Sequence, residues 1–153
     1  MRVGNSYDLH NLKAGTGFPL GGIFIPCQYQ VEAVSDGDIL LHTISEAIIG
    51  ALGLGDLGDW FDETNENIDS QIILKQALTL MTNQNYQIVN LDATIILDEP
   101  KLKEYKSAIK MNLKQLLQLE DENINIKATT TEKNFNKIIQ SYTTLLLVKK
   151  DNY

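Results

Sequence analysis

Asp8-Leu9-His10 sets a carboxylate and an imidazole two residues apart, and the only other histidine of the chain is His42. Residues two apart on a strand share a face, so Asp8 and His10 can aim oxygen and nitrogen donors at one ion. His42 lies in the first turns of an apolar-periodic helix and would complete a set of two imidazoles and one carboxylate. Three protein ligands leave zinc an open position for substrate, whereas a structural zinc is normally closed by four. The spacing therefore permits a catalytic metal. The same residues also fit a plainer arrangement, with His10 on the surface and His42 packed on its helix. A second group, Lys127-Ala128-Thr129-Thr130-Thr131-Glu132-Lys133, gathers three hydroxyls, a carboxylate and two ammonium groups at a strand end. Hydroxyls and backbone N–H groups there can hold phosphate oxygens, and Glu132 can bind a hard cation. A solvated strand exit is the other reading of that segment.

These side chains need elements to position them. A first strand begins at Arg2-Val3 and reaches His10; Asn11 to Pro19 reads as a Gly-containing loop, followed by extended pieces at Gly22-Ile25 and about Gln28-Val34. Ser35-Asp36-Gly37-Asp38 has the chemistry of a turn and of a helix start. The apolar spacing of Leu41, Ile44, Ile48, Ala51 and Leu52 predicts a helix over Ile39 to Leu54, with His42 and Glu46 sharing another face. Asp56 to Glu66 reads as an irregular loop. Helices are expected over about Asp69 to Asn83 and Leu102 to Leu119, the second after the turn Asp98-Glu99-Pro100-Lys101, and strands over Tyr86 to Leu97, Ile124 to Thr129 and Tyr142 to Lys149. Strands first, then helices alternating with strands, predict an α+β fold, a single-domain sheet-and-helix two-layer sandwich with one helical layer spanning residues 1–153.

Composition narrows the functional classes. With 153 residues, 43% of them apolar, the chain is sized for one domain with a substantial core. Its net charge of −7 argues against a nucleic-acid or anionic-membrane partner, both of which call for a basic field. An anionic substrate remains compatible if metals or local cations receive it. Cys27, the lone cysteine, excludes an intrachain disulfide and a thiolate metal cluster and reads as a packing residue. No apolar run approaches the ~18 residues of a membrane span, so a cytoplasmic protein is expected, or a plastid stromal one if a transit peptide has been removed.

The Asp8/His10/His42 set, Ser35-Asp36-Gly37-Asp38, Leu54-Gly55-Asp56-Leu57-Gly58, Asp98-Glu99-Pro100-Lys101-Leu102 and Lys127 to Lys133 occur in one order. From Met1 to about Lys133 that order resembles the 2-C-methyl-D-erythritol 2,4-cyclodiphosphate synthase family of non-mevalonate isoprenoid biosynthesis. The resemblance implies a homotrimer with each active site between neighbouring subunits. It implies Asp8, His10 and His42 as ligands of Zn2+, Glu132 as ligand of Mg2+ or Mn2+, and Thr130 as a residue stabilising the transition state. Asp56, Leu57 and Gly58 match the ribose-holding loop, and Pro100, Lys101 and Leu102 with Ala128 and Thr129 match the positions that hold cytosine and its phosphates. Ser35 falls in the substrate-binding motif, and the family's lid corresponds to Phe61 through Asn65, including Glu63. The implied ligand is a cytidine diphosphate-type small molecule, and the implied reaction is an intramolecular phosphoryl transfer that releases CMP.

The sequence departs from the family pattern at several places. Val34 stands where the family has a histidine near the reacting phosphate, and Asn5-Ser6 replace His-Gly. The lid reads Phe61-Asp62-Glu63-Thr64-Asn65-Glu66, and the segment Asn134 to Ile139 is shortened, so the correspondence stops at Lys133. Loss of a transition-state donor typically costs ~10²- to 10³-fold in rate. Two readings follow, a working but slow synthase, or a non-catalytic trimeric descendant that binds zinc and cytidine nucleotides. A general zinc hydrolase fits less well, because no residue is placed as a general base beside the metal.

Overall fold

Alternation along the first strand decides the architecture. In β1 (Arg2–Ala14), Gly4, Ser6, Asp8, His10 and Leu12 turn to one side while Val3, Asn5, Tyr7, Leu9 and Asn11 are exposed on the other. The computed structural model, which describes residues 1–61 and 68–150, continues this two-faced pattern in β5 (Tyr86–Leu97) and β7 (Ile138–Lys149). With β4 (Tyr29–Val31) and β6 (Ile124–Thr129) they form a five-stranded sheet in the order β4-β1-β7-β5-β6. Only β5 and β6 run parallel. Their crossover carries α3 (Lys106–Leu117), as parallel neighbours require. The remaining strands, β2 (Gly17–Leu20) and β3 (Ile23–Pro26), make a separate hairpin.

α1 (Ile39–Leu52) is the centre of the core. Eleven of its fourteen residues are buried, because it lies on β1 and β7 and is covered by α2 (Ser70–Asn83). Asp38 caps its start, accepting the Leu41 N–H, and Gly53 ends it in the left-handed region at φ 73°. β1 approaches α1 closely enough at Gly4 that a Cβ there would meet the Ala47 carbonyl oxygen at 1.9 Å. Arg2 donates to the Ala51 carbonyl and to the Tyr86 hydroxyl, tying the far end of the helix to β1 and β5.

The α+β sheet-and-helix expectation agrees with this arrangement, while several boundaries differ, three of them widely. Asn11 to Pro19 is strand through Ala14 and again from Gly17, because Leu12, Lys13 and Ala14 find partners in Val31, Gln30 and Tyr29 of the short edge strand β4. The last strand begins at Ile138 rather than Tyr142, since Ile138 to Ser141 pair with Asn11 to Asp8. The third helix begins at Lys106 rather than Leu102: Leu102 is buried, and its carbonyl accepts from both Tyr105 and Lys106 in a turn.

Candidate functional site

β1 and α1 bring Asp8, His10 and His42 together, with one ligand atom from each lying within 4.8 Å of the others. Asp8 Oδ2 is 3.0 Å from His10 Nε2 and 3.7 Å from His42 Nδ1. The Leu9 N–H donates to Asp8 Oδ1 at 2.8 Å, which fixes the carboxylate plane. Asp8 Oδ2 is buried and accepts no hydrogen bond. A buried anionic oxygen with no hydrogen bond of its own, facing two imidazole nitrogens, is an arrangement suited to surrounding a cation. The donor set, two nitrogens and one carboxylate oxygen, suits zinc. Burial lowers the pKa of His42, as does the charge of His10, with Asp8 pulling the other way, so the neutral, ligating imidazole is favoured. Burial raises the Asp8 carboxyl, but His10, His42 and the Leu9 N–H outweigh it and hold the group ionised below its usual range.

The Ser35-Asp36-Gly37-Asp38 turn feeds α1 and seats its neighbours. Asp38, wholly buried, accepts from Gly21, Gly22 and Leu41 N–H groups at 2.9, 2.7 and 3.0 Å, locking the β2–β3 turn to the start of α1, the helix that carries His42. Burial pushes its carboxyl up to about 6, against the pull of those three donors. Asp36 accepts from the Ser70 N–H and hydroxyl and from the Asp38 N–H, so the start of α2 hangs on the same turn. The Ser35 hydroxyl accepts the Gly37 N–H, and Val34 is exposed. Past α1, Asp56 caps a short 3-10 turn, Leu57–Asp59, in a reciprocal box with Asp59. Glu46, one turn beyond His42, accepts the Leu57 N–H at 3.2 Å and so links α1 to that turn. Burial raises the Glu46 carboxyl, with the Leu57 N–H opposing.

A cleft of about 1040 Å³ opens elsewhere on the chain, lined among others by Asp98, Lys101, Thr130, Glu132, Lys133 and Lys137. Asp98, in its lining, accepts the N–H and hydroxyl of Thr131, the residue between Thr130 and Glu132, at 2.7 Å each. Those bonds, chiefly that from the hydroxyl, keep the Asp98 carboxyl below its usual range. Thr130 Oγ1 donates to Glu132 Oε1 at 3.1 Å and accepts the Glu132 N–H. Glu132 and Lys133 are both left-handed, at φ 55° and 63°, an uncommon pair for residues with side chains. The cleft thus sets hydroxyls and ammonium groups beside the carboxylates of Asp98, Glu99 and Glu132.

The residues expected from sequence thus fall into two groups. Asp8, His10 and His42 form the cluster, while Lys101, Thr130 and Glu132 share the cleft. Neither the cluster nor Asp56, Leu57 and Gly58 line that cleft. Pro100 precedes Lys101 in the turn, Leu102 is buried in the core, and Ala128 and Thr129 are exposed at the end of β6. Phe61 packs partly buried against the core, whereas Glu63 and Asn65 lie outside the described residues. Sequence reasoning missed Asp98, whose acidic side chain just before the Pro100 turn was the available sign, and missed the buried anchoring done by Asp36 and Asp38.

An α+β domain with a half-buried Asp-His-His cluster able to hold a metal ion, and a separate cleft of lysines, hydroxyls and carboxylates, defines a class, that of α+β proteins with a candidate metal site. More narrowly, the chain belongs to the YgbB family, whose family model matches residues 1–148. A relative named 2-C-methyl-D-erythritol 2,4-cyclodiphosphate synthase from Fusobacterium nucleatum is 45% identical, over 98% of this chain and 98% of its own length. The chloroplastic protein of that name from Arabidopsis thaliana is 42% identical, over 97% of this chain and 68% of its own. A solved structure of 2C-methyl-D-erythritol-2,4-cyclodiphosphate synthase in a CDP-bound form matches with a TM-score of 0.91 at 29% identity, covering 96% of this chain and 100% of that one. No described helix is long and apolar enough to cross a membrane.

Proposed function

We propose that the chain is a 2-C-methyl-D-erythritol 2,4-cyclodiphosphate synthase, converting 4-diphosphocytidyl-2-C-methyl-D-erythritol 2-phosphate to the cyclic diphosphate and CMP. The observation that carries this reading is the buried, unbonded Asp8 Oδ2 between His10 and His42, in a chain of this family. Asp8, His10 and His42 would hold Zn2+, and Glu132 would hold Mg2+ or Mn2+; bound, these cations supply positive charge to phosphate oxygens. That accounts for an acidic protein acting on a polyanion.

In the reaction a 2-phosphate oxygen attacks the β-phosphorus, a new P–O bond forms, the bond to CMP breaks, and CMP carries the electron pair away. No protein nucleophile is needed. The work of the chain is to fold a flexible substrate into line and to hold charge where it develops. Thr130 offers a hydroxyl beside Glu132, and Lys101 and Lys133 offer ammonium groups in the same cleft, which Asp98 braces through Thr131. Pro100, Lys101, Leu102, Ala128 and Thr129 are assigned to the cytidine side, and Asp56, Leu57 and Gly58 to ribose. Phe61, Glu63 and Asn65 are assigned to the lid and Ser35 to the substrate.

The assembly belongs to the same proposal. The ribose turn and the metal cluster stand apart from the cleft, which is what a site shared by neighbouring copies requires. The sheet face without helices exposes Val3, Tyr7, Leu9 and Tyr142, and the Tyr7 and Tyr142 rings lie 4.6 Å apart. A homotrimer would cover that face. Cytoplasmic location is proposed with it, supported by a single unpaired thiol at Cys27. The decisive experiment is single-turnover release of CMP with Zn2+ and Mg2+ present, run on wild type and His42→Ala. Release by wild type and its loss in the variant are expected. CDP binding without any CMP release by wild type would instead return the chain to the non-catalytic alternative. Sedimentation showing an active monomer would remove the trimer.

A further inference from the structure

Two members of the Asp8/His10/His42 cluster stand on β1 and the third on α1, so its geometry depends on how α1 is seated on the sheet. Apolar packing presses a helix down but is non-directional. A directional tie lies beside His42. Thr43 Oγ1 is 2.8 Å from Ser141 Oγ, 2.8 Å from Thr143 Oγ1 and 3.2 Å from the Leu40 carbonyl oxygen. None of these three hydroxyl side chains is more than 1% exposed. Ser141 and Thr143 sit on β7, opposite Asp8 and Ser6 of β1. The tie therefore runs from the residue next to His42 to the strand position alongside Asp8.

One proton arrangement closes the bonding. Thr43 donates to the Leu40 carbonyl and accepts from both Ser141 and Thr143, so every hydroxyl proton and both Thr43 lone pairs are used. Aliphatic side chains could fill the same space with nothing to satisfy. What hydroxyls add is direction, because a slide or turn of α1 on β7 lengthens two short bonds in a place that water does not reach.

We infer that Thr43, Ser141 and Thr143 are positioning residues of the metal centre, their hydroxyl cluster setting the seat of α1 on β7 and so the reach of His42 toward Asp8 and His10. The inference rests on the reading of Asp8, His10 and His42 as zinc ligands. Metal–ligand distances tolerate only about 0.2 Å of error, so a small slide of the helix registers at the metal.

The test titrates metal-free protein with Zn2+ against a competing chelator and records thermal unfolding of the same samples without metal. Wild type and His42→Ala are compared first. Equal zinc binding by these two removes the ligand reading, and the positioning role with it. With a difference established, Thr43→Val removes the shared oxygen, keeps the shape and strands two buried hydroxyls. Its zinc affinity is expected to fall about 10-fold, the lower end for lost outer-shell support. Thr43→Ser is expected to restore wild-type affinity. Ser45→Ala is the matched control: Ser45 is equally buried, but its hydroxyl donates to Leu41 within α1, so Tm should fall while zinc affinity stays. Should Thr43→Val fail to fold, Ser141→Ala, which leaves Thr43 paired with Thr143, reads the same effect with a smaller loss. Wild-type zinc affinity in Thr43→Val, or in Ser141→Ala in its place, overturns the inference. So does a loss in Ser45→Ala as large as theirs.

Discussion

Gly4→Ala adds one methyl where β1 and α1 come closest. The new Cβ would lie 1.9 Å from the Ala47 carbonyl oxygen and 2.9 Å from Ala51 Cβ. Real Cβ atoms keep beyond 3.0 Å, so strand and helix must part by about 1.1 Å, and the obstacle is backbone with no rotamer to yield. Overpacking of this kind costs about 1–3 kcal/mol, and a rigid obstacle puts Gly4→Ala at the upper end. The metal cluster should suffer more. Gly4 is on the same face of β1 as Asp8, and Ala47 is little more than one turn from His42. A separation of about 1.1 Å is roughly five times the ~0.2 Å tolerance of a metal bond, so zinc affinity should drop more than ~10-fold. Urea unfolding of metal-free protein gives the first quantity and zinc competition the second. Gly50→Ala is the control, since a Cβ there meets nothing within 4 Å; it should stabilise by about 0.5–1 kcal/mol through helix propensity. Wild-type stability together with wild-type zinc affinity in Gly4→Ala would refute the reasoning, for β1 and α1 would then part freely.

Val34→His should raise single-turnover CMP release, by as much as the ~10²- to 10³-fold that a transition-state donor supplies, while leaving CDP affinity unchanged. Equal release by both proteins would show that the missing donor is not limiting. Asp38, with its carboxyl raised from 3.8 to about 6, holds its proton more tightly in the folded than in the unfolded chain. The stabilisation this gives is full below pH 3.8 and is lost as pH rises through about 6, a change of about 3 kcal/mol at 1.36 kcal/mol per unit. The stability of metal-free wild type minus that of Asp38→Asn should therefore fall across this window; a difference that rises with pH would mean that the three N–H donors govern the group instead. Asp98→Ala frees Thr131 and should lower kcat by up to ~100-fold, the cost of a misplacement near 1 Å. Unaltered kcat in that variant would show that Thr130 and Glu132 hold themselves in place.

The grouping of Asp8, His10 and His42 was legible because its signal is local: two residues apart on a strand, and an apolar helix whose spacing leaves His42 off the core stripe. The helix cap at Asp38 was legible for the same reason. The edges of β1 and β7 were not, because Asn11, Lys13 and Gln140 look like loop residues until the strands beside them supply partners across the sheet. Ser141 and Thr143 carried no sign of burial either. Their setting is created by Thr43, about a hundred residues away. Asp98 was read as part of a turn, which it is, but its use depends on Thr131, thirty-three residues on. The division of site residues between the cluster and the cleft depends on how distant segments fold together, which local spacing does not express.

Glu132 and Lys133 occupy neighbouring left-handed positions, and this sets the direction in which engineering would push the chain. At such a position glycine relaxes the backbone, since it alone lacks the Cβ that crowds there. Glycine at 132 would also erase the carboxylate proposed to hold a cation. Thermal resistance and turnover then reward opposite choices at one residue. A library of variants screened only for survival on heating would be drawn toward glycine at 132, gathering robust proteins that no longer make product, so a stabilisation campaign should keep that glutamate fixed and search elsewhere.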